Sequence, residues 1–132
     1  MKHFTVDEAN EALLLVRPLA EELVAVFQRA QRVEHRAAPL RAAVAGNGSV
    51  AMRERLRDLD RVTEDARSRM GALIETIEEL GAQVKDLELG LVDFPAEREG
   101  ETVLLCWRVG EDEIAYWHGL EEGFAGRRPL PL

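Results

Sequence analysis

Up to residue 80 the apolar positions recur in alternating steps of four and three. Ala9, Leu13, Val16, Ala20, Leu23, Phe27 and Ala30 make one such series, which fades at Glu34. Met52, Leu56, Leu59, Thr63, Ala66, Met70, Leu73, Ile77 and Leu80 make a second. That spacing lays one apolar stripe along a helix, as helices packed lengthwise on each other require. Thr5 and Glu8 form a capping box ahead of the first series, and Asp7 and Glu8 suit the positive end of a helix dipole. The GNGS run at 46–49 separates the two series, and Gly81 fits just past the end of the second. The pattern predicts a long antiparallel helical hairpin over residues 4–81 with coiled-coil-like packing. Pro18 predicts a kink near residues 14–18, and Pro39 an end or bend followed by a short turn at 40–45. A second apolar set remains: Ala12, Leu15, Leu19, Val26 and Val33 on the first helix, Val62 and Ile74 on the second. Two helices cannot bury all of it, so the last third of the chain, another copy, or both should cover it.

From Val84 the period changes to two. Leu87, Leu89 and Leu91 alternate with Asp86, Glu88 and Gly90, predicting a first strand that ends near Asp93. Phe94-Pro95 and Gly100 bracket a loop, residues 102–109 are rich in strand formers, GEDE at 110–113 is a turn, and residues 114–118 form a third strand. The expected architecture is α+β: the hairpin, then a small three-stranded antiparallel sheet over 84–118, then a docking tail over 119–132, in a single domain spanning 1–132. Pairing Val109 with Ile114 puts Val103, Leu105, Trp107, Val109, Ile114, Tyr116 and His118 on the face toward the helices. Leu104, Cys106, Arg108, Ala115 and Trp117 then share the other face, to be covered by the tail or a partner.

A chain of 132 residues, 46% hydrophobic and 32% charged, has the balance of a globular domain. Its net charge of −8 repels a nucleic-acid backbone. Arg53, Arg55, Arg57 and Arg61 are interrupted by Glu54, Asp58 and Asp60, as on a solvated helix surface. One cysteine excludes an intrachain disulfide and a multi-cysteine zinc knuckle. No apolar run approaches the roughly 20 residues of a membrane span, and the N-terminus lacks a signal-peptide core. A cytoplasmic protein is expected.

The chemistry is concentrated at the end of the chain. Asp93 closes the first predicted strand and His118 the third, at one end of the sheet, with Glu121 and Glu122 following. An imidazole and carboxylates together suit zinc, manganese or iron. The structural alternative is that His118 closes the sheet end by hydrogen bonding to Asp93 or a backbone carbonyl. Cys106 reads as a small buried hydrophobe, because no histidine is predicted on its face. Trp117 near Arg108 suggests a cation–π contact. Arg108, Gly126 and Arg127 form a candidate anion site without the spacing of a phosphate-binding loop. No nucleophile elbow is present.

FTVDEAN at 4–10, VKDLELGLVDFPA at 84–96, LLCWRVGE at 104–111 and IAYWHGLEEGFAGRRPL at 114–130 together resemble the prokaryotic family known as domain of unknown function 2203. The resemblance extends over essentially the whole chain and implies a fold-sized unit, with no activity to carry over. Two functional readings stand. One is a homo-oligomeric protein-interaction module that uses the surplus apolar surface. The alternative is a divalent-metal-binding protein, of which a metal-dependent hydrolase is one form, with Asp93, His118, Glu121 and Glu122 as its ligands.

Overall fold

The computed structural model describes residues 2–132. Helix α1 (Val6–Ala45) opens on the capping box: the Thr5 N–H donates to Glu8 Oε1 at 2.9 Å and the Glu8 N–H to Thr5 Oγ1 at 3.1 Å. These bonds hold the Glu8 carboxyl below its ordinary range. Helix α2 (Val50–Glu79) starts behind Ser49, whose hydroxyl accepts from the Met52 N–H at 3.1 Å. Gly81 then turns the chain at φ 96°. Pro39 does not end the first helix, one of the two outcomes expected of it. Pro18 and Pro39 both lie inside α1 and both are exposed, so the hydrogen bond each forfeits lies on the solvent side.

The chain forms two compact units. One is Ala25–Ala72, a stretch of α1 and α2 with the loop between them, where Val33, Ala37 and Leu59 are buried and Leu40 and Leu56 pack against them. The other unit combines residues up to Val24 with Leu73–Leu132. Here Ala9, Leu13, Val16, Ala20 and Leu23 of α1 and Leu73 and Ile77 of α2 are buried, as the four-three series requires.

Among the described residues the sheet has five strands, not three. They are β1 (Gln83–Asp86), β2 (Leu91–Arg98), β3 (Glu101–Arg108), β4 (Tyr116–His118) and β5 (Arg128–Pro129), paired antiparallel in chain order. Residues 87–90, whose alternating leucines imitate a strand, are a turn. The Leu89 N–H donates to Asp86 Oδ1 at 2.8 Å, and Gly90 sits at φ 68°. Phe94 and Pro95 are strand rather than loop. β1 pairs with β2 only as far as Asp93, so the missing Pro95 N–H falls beyond the end of the ladder. On that side the Pro95 carbonyl accepts from the Phe4 N–H at 2.7 Å.

The β3–β4 pairing is displaced by one residue from the expected one. Leu104 faces His118, Leu105 faces Trp117 and Cys106 faces Tyr116. The connection over 109–115 is longer than the expected turn: the Glu111 N–H donates to the Arg108 carbonyl at 3.0 Å to close a turn at its start, and α1 holds the rest. Asn10 Oδ1 accepts from the Ile114 N–H at 2.8 Å, and Arg17 donates to the Glu111 carbonyl at 2.8 Å and to the Asp112 carbonyl. A one-residue slip moves every side chain of β4 to the other face. Trp117 therefore shares a face with Val92, Phe94, Leu105 and Trp107. On that face Phe94 meets Phe4 edge-on at 5.4 Å and Trp107 lies 5.3 Å from the Arg17 guanidinium. Tyr116 and His118 share the opposite face with Asp93, Leu104 and Cys106. Trp117 lies between Arg98 at 4.9 Å and Arg128 at 4.7 Å, whereas the expected partner, Arg108, is over Phe124 at 5.9 Å.

Candidate metal centre

Asp93 and His118 are the two polar or charged side chains buried among the described residues, each 3% exposed or less. Three neighbouring strands bring them together. β2 supplies Asp93, β3 supplies Cys106 directly opposite it, and β4 supplies His118 opposite Leu104. The imidazole reaches across β3 beside the small Cys106 side chain, and His118 Nε2 lies 3.1 Å from Asp93 Oδ2. The other ring nitrogen, Nδ1, is 2.7 Å from the Gly119 carbonyl. A carbonyl only accepts, so Nδ1 carries a hydrogen and Nε2 is the nitrogen turned inward. Both bonds of the structural alternative are thus formed.

Those bonds do not account for the whole cluster. Asp93 Oδ1 is buried without a hydrogen-bond partner of ordinary geometry, and the Cys106 thiol offers the carboxylate only a weak donor. Such an orphan costs of order 1–3 kcal/mol or more when charged. One oxygen of Asp93, the Cys106 sulfur and one nitrogen of His118 all lie within 4.8 Å of one another. A tetrahedral zinc site, with bonds of 2.0–2.3 Å, sets its donors about 3.4–3.7 Å apart. Closing the difference takes side-chain rotations of about an ångström. The Gly119 carbonyl meanwhile plays the part usual behind a metal-bound histidine, fixing the tautomer and aiming the free nitrogen.

Burial dominates the electrostatics. It raises the Asp93 carboxyl above its ordinary range, against the pull of His118, the Cys106 thiol and Lys85. Burial and the Asp93 charge push the Cys106 thiol up to about 12, with Arg127 opposing. A thiol so protonated at neutral pH is a poor nucleophile. The imidazole is also misplaced as its base, since one nitrogen is committed to Asp93 and the other to a carbonyl. Asp93, Cys106 and His118 could hold a divalent cation, which would replace the protons and supply the positive charge that the buried anions need.

The cluster opens on a cavity of ≈ 200 Å³ walled by Leu91, Leu104, Leu120 and Phe124, with Lys85 and Glu121 also lining it. Of the acids expected to complete the site, Glu121 lines this cavity as an exposed residue. Glu122 is committed elsewhere: Oε1 accepts from the Gly119 N–H at 2.8 Å and Oε2 from Arg128 at 2.6 Å. Of the residues expected to bind an anion, Arg108 lies over Phe124 and Arg127 has an internal partner. Arg127 pairs with Glu111 at 2.6 Å, donates to the Cys106 carbonyl at 3.1 Å and stacks over Tyr116 at 4.1 Å. Gly126 is packed so closely that an added Cβ would lie 2.5 Å from the Glu122 Cβ. Cys106 is the member that sequence reasoning missed. Its one available signal was strand parity, and that signal reversed with the slipped register.

These features define an α+β protein whose sheet carries a buried carboxylate, thiol and imidazole beside a small apolar cavity. The chain belongs to the family described as "Uncharacterized conserved protein (DUF2203)", whose profile matches residues 2–130. No curated protein and no solved structure matches it. Among the described residues no helix is long and apolar enough to cross a membrane.

Proposed function

We propose that the protein binds a divalent metal ion through Asp93, Cys106 and His118, with zinc as the best match. The observation that carries this reading is the buried, unpartnered Asp93 oxygen grouped with a thiol and an oriented imidazole. Thiolate and imidazole favour zinc over manganese or magnesium. Three protein ligands beside a cavity match the catalytic rather than the structural type of zinc site, and a water in the fourth position is the nucleophile of hydrolytic chemistry.

Cobalt substitution tests the reading. Purified without a histidine tag and stripped with chelator, the protein should take up one equivalent of Co(II) and show a thiolate-to-cobalt charge-transfer band in the near ultraviolet. Cys106→Ser should lose that band. Failure of the wild type to take up cobalt or zinc would eliminate the proposal.

A second reading, self-association, is favoured by one specific feature. Leu14 and Leu15 are adjacent on α1 and 74% and 61% exposed. If they form a contact between copies, light scattering after size exclusion should give a mass above 14.8 kDa that falls to the monomer value in a Leu14→Gln, Leu15→Gln variant. A wild-type monomer at high micromolar concentration would end this reading.

A further inference from the structure

We infer that the cavity beside the metal centre receives a small monocarboxylate, its head between the open metal position and Lys85 and its hydrocarbon tail among Leu104, Leu120 and Phe124. This rests on the metal-binding proposal and adds the class of ligand.

Charge counting selects the head group. A divalent ion, the Asp93 carboxylate and the Cys106 thiolate sum to zero. A neutral centre holds a further anion weakly unless another cation assists. Lys85 lines the cavity and acts on the Asp93 carboxyl, and Glu121 lines it as well, as an exposed side chain. Lys85 can neutralise a monoanion, whereas the second charge of a phosphate dianion would be unpaired and would face Glu121. A carboxylate has two oxygens to divide between a metal and an ammonium.

The walls select the rest. Four of the residues lining the ≈ 200 Å³ space are leucine or phenylalanine, and the volume admits only a short chain. Leu120 is 58% exposed at its edge, an apolar surface that a hydrocarbon tail would cover. Of the other arginines near these strands, Arg127 is paired with Glu111 and, on the opposite face, Arg128 with Glu122.

Titration of the cobalt-loaded wild type with acetate, propionate, butyrate and pentanoate, followed by its visible spectrum, tests the assignment. Affinity should rise about fourfold per added CH₂ until the cavity is filled. Lys85→Met, at an exposed position on β1, should fold normally and hold cobalt at least as tightly. It should bind every carboxylate roughly two- to fivefold more weakly. Equal affinity along the series, an unperturbed spectrum, or a Lys85→Met variant that binds carboxylates as the wild type does would each overturn the inference while leaving the metal centre intact. Absence of the thiolate–cobalt band in the wild type would remove both.

Discussion

A single proton organises the chemistry at the scale of residues. Because His118 Nδ1 donates to a carbonyl, Nε2 is the nitrogen left for a metal, and the Cys106 thiol holds a proton at neutral pH. A metal ion bound by the sulfur must expel that proton. The apparent metal affinity should therefore rise with pH, by at least about tenfold per unit near neutrality. Calorimetry in buffers of different ionisation enthalpy should count at least one proton released per ion. Release of none would mean that the thiol is not a ligand. Asp93→Asn separates a metal role from a structural one. An asparagine amide can donate to a neutral Nε2, so the buried polar contact survives without a buried charge. The apo variant should be as stable as wild type or more so in chemical denaturation, as is common when a buried ionic pair is neutralised. It should also lose most of its metal affinity. A purely structural Asp93 would leave no metal affinity to lose.

Individual elements show which local patterns survive folding and which are overridden. Both helices and their burial stripes follow from the four-three spacing, and the Thr5–Glu8 cap forms as its residues dictate. The leucine alternation at 87–91 misleads because period two is also what a tight turn shows when its apolar side chains fall on one side. The deciding information is partly local, Asp86 capping the turn three residues on, and partly nonlocal, Gly90 packing against Val24 and Val109. A Cβ on Gly90 would lie 2.6 Å from Val109 Cγ2 and 2.8 Å from Val24 Cγ2, at a positive φ. Gly90→Ala should cost roughly 2–4 kcal/mol from overpacking and left-handed strain together. Gly100 also has positive φ but no neighbour within 4 Å of an added Cβ, so Gly100→Ala should cost only the strain. Urea midpoints of the two variants compared with wild type check the difference. Equal losses would show that packing at Gly90 is not the constraint.

For the whole molecule, a ligand that binds only the folded state stabilises it by linkage. At a free concentration of 100 Kd the gain is about 2.7 kcal/mol. For a chain of this size that is a rise of roughly 10 °C in Tm, reversed by chelator. The three proposed ligands all belong to the unit formed by residues up to Val24 and Leu73–Leu132. Hydrogen exchange should therefore slow across strands β2 to β4 on metal addition and remain unchanged in Ala25–Ala72. Equal protection in both would show that the ion acts on the fold globally rather than at the sheet. What the amino-acid order determined by itself was local: helix starts and stops, burial stripes, strand-forming segments, and the terminal third as the place where reactive side chains gather. Each depends on interactions within a few residues, so each is written in spacing. The partnership of Asp93, Cys106 and His118 was decided only by tertiary structure. It depends on the β3–β4 register, and Asn10 and Arg17 of α1, about a hundred residues away along the chain, hold the loop that precedes β4. Strand parity has period two, so one residue of displacement there exchanged the faces and put the histidine beside the cysteine.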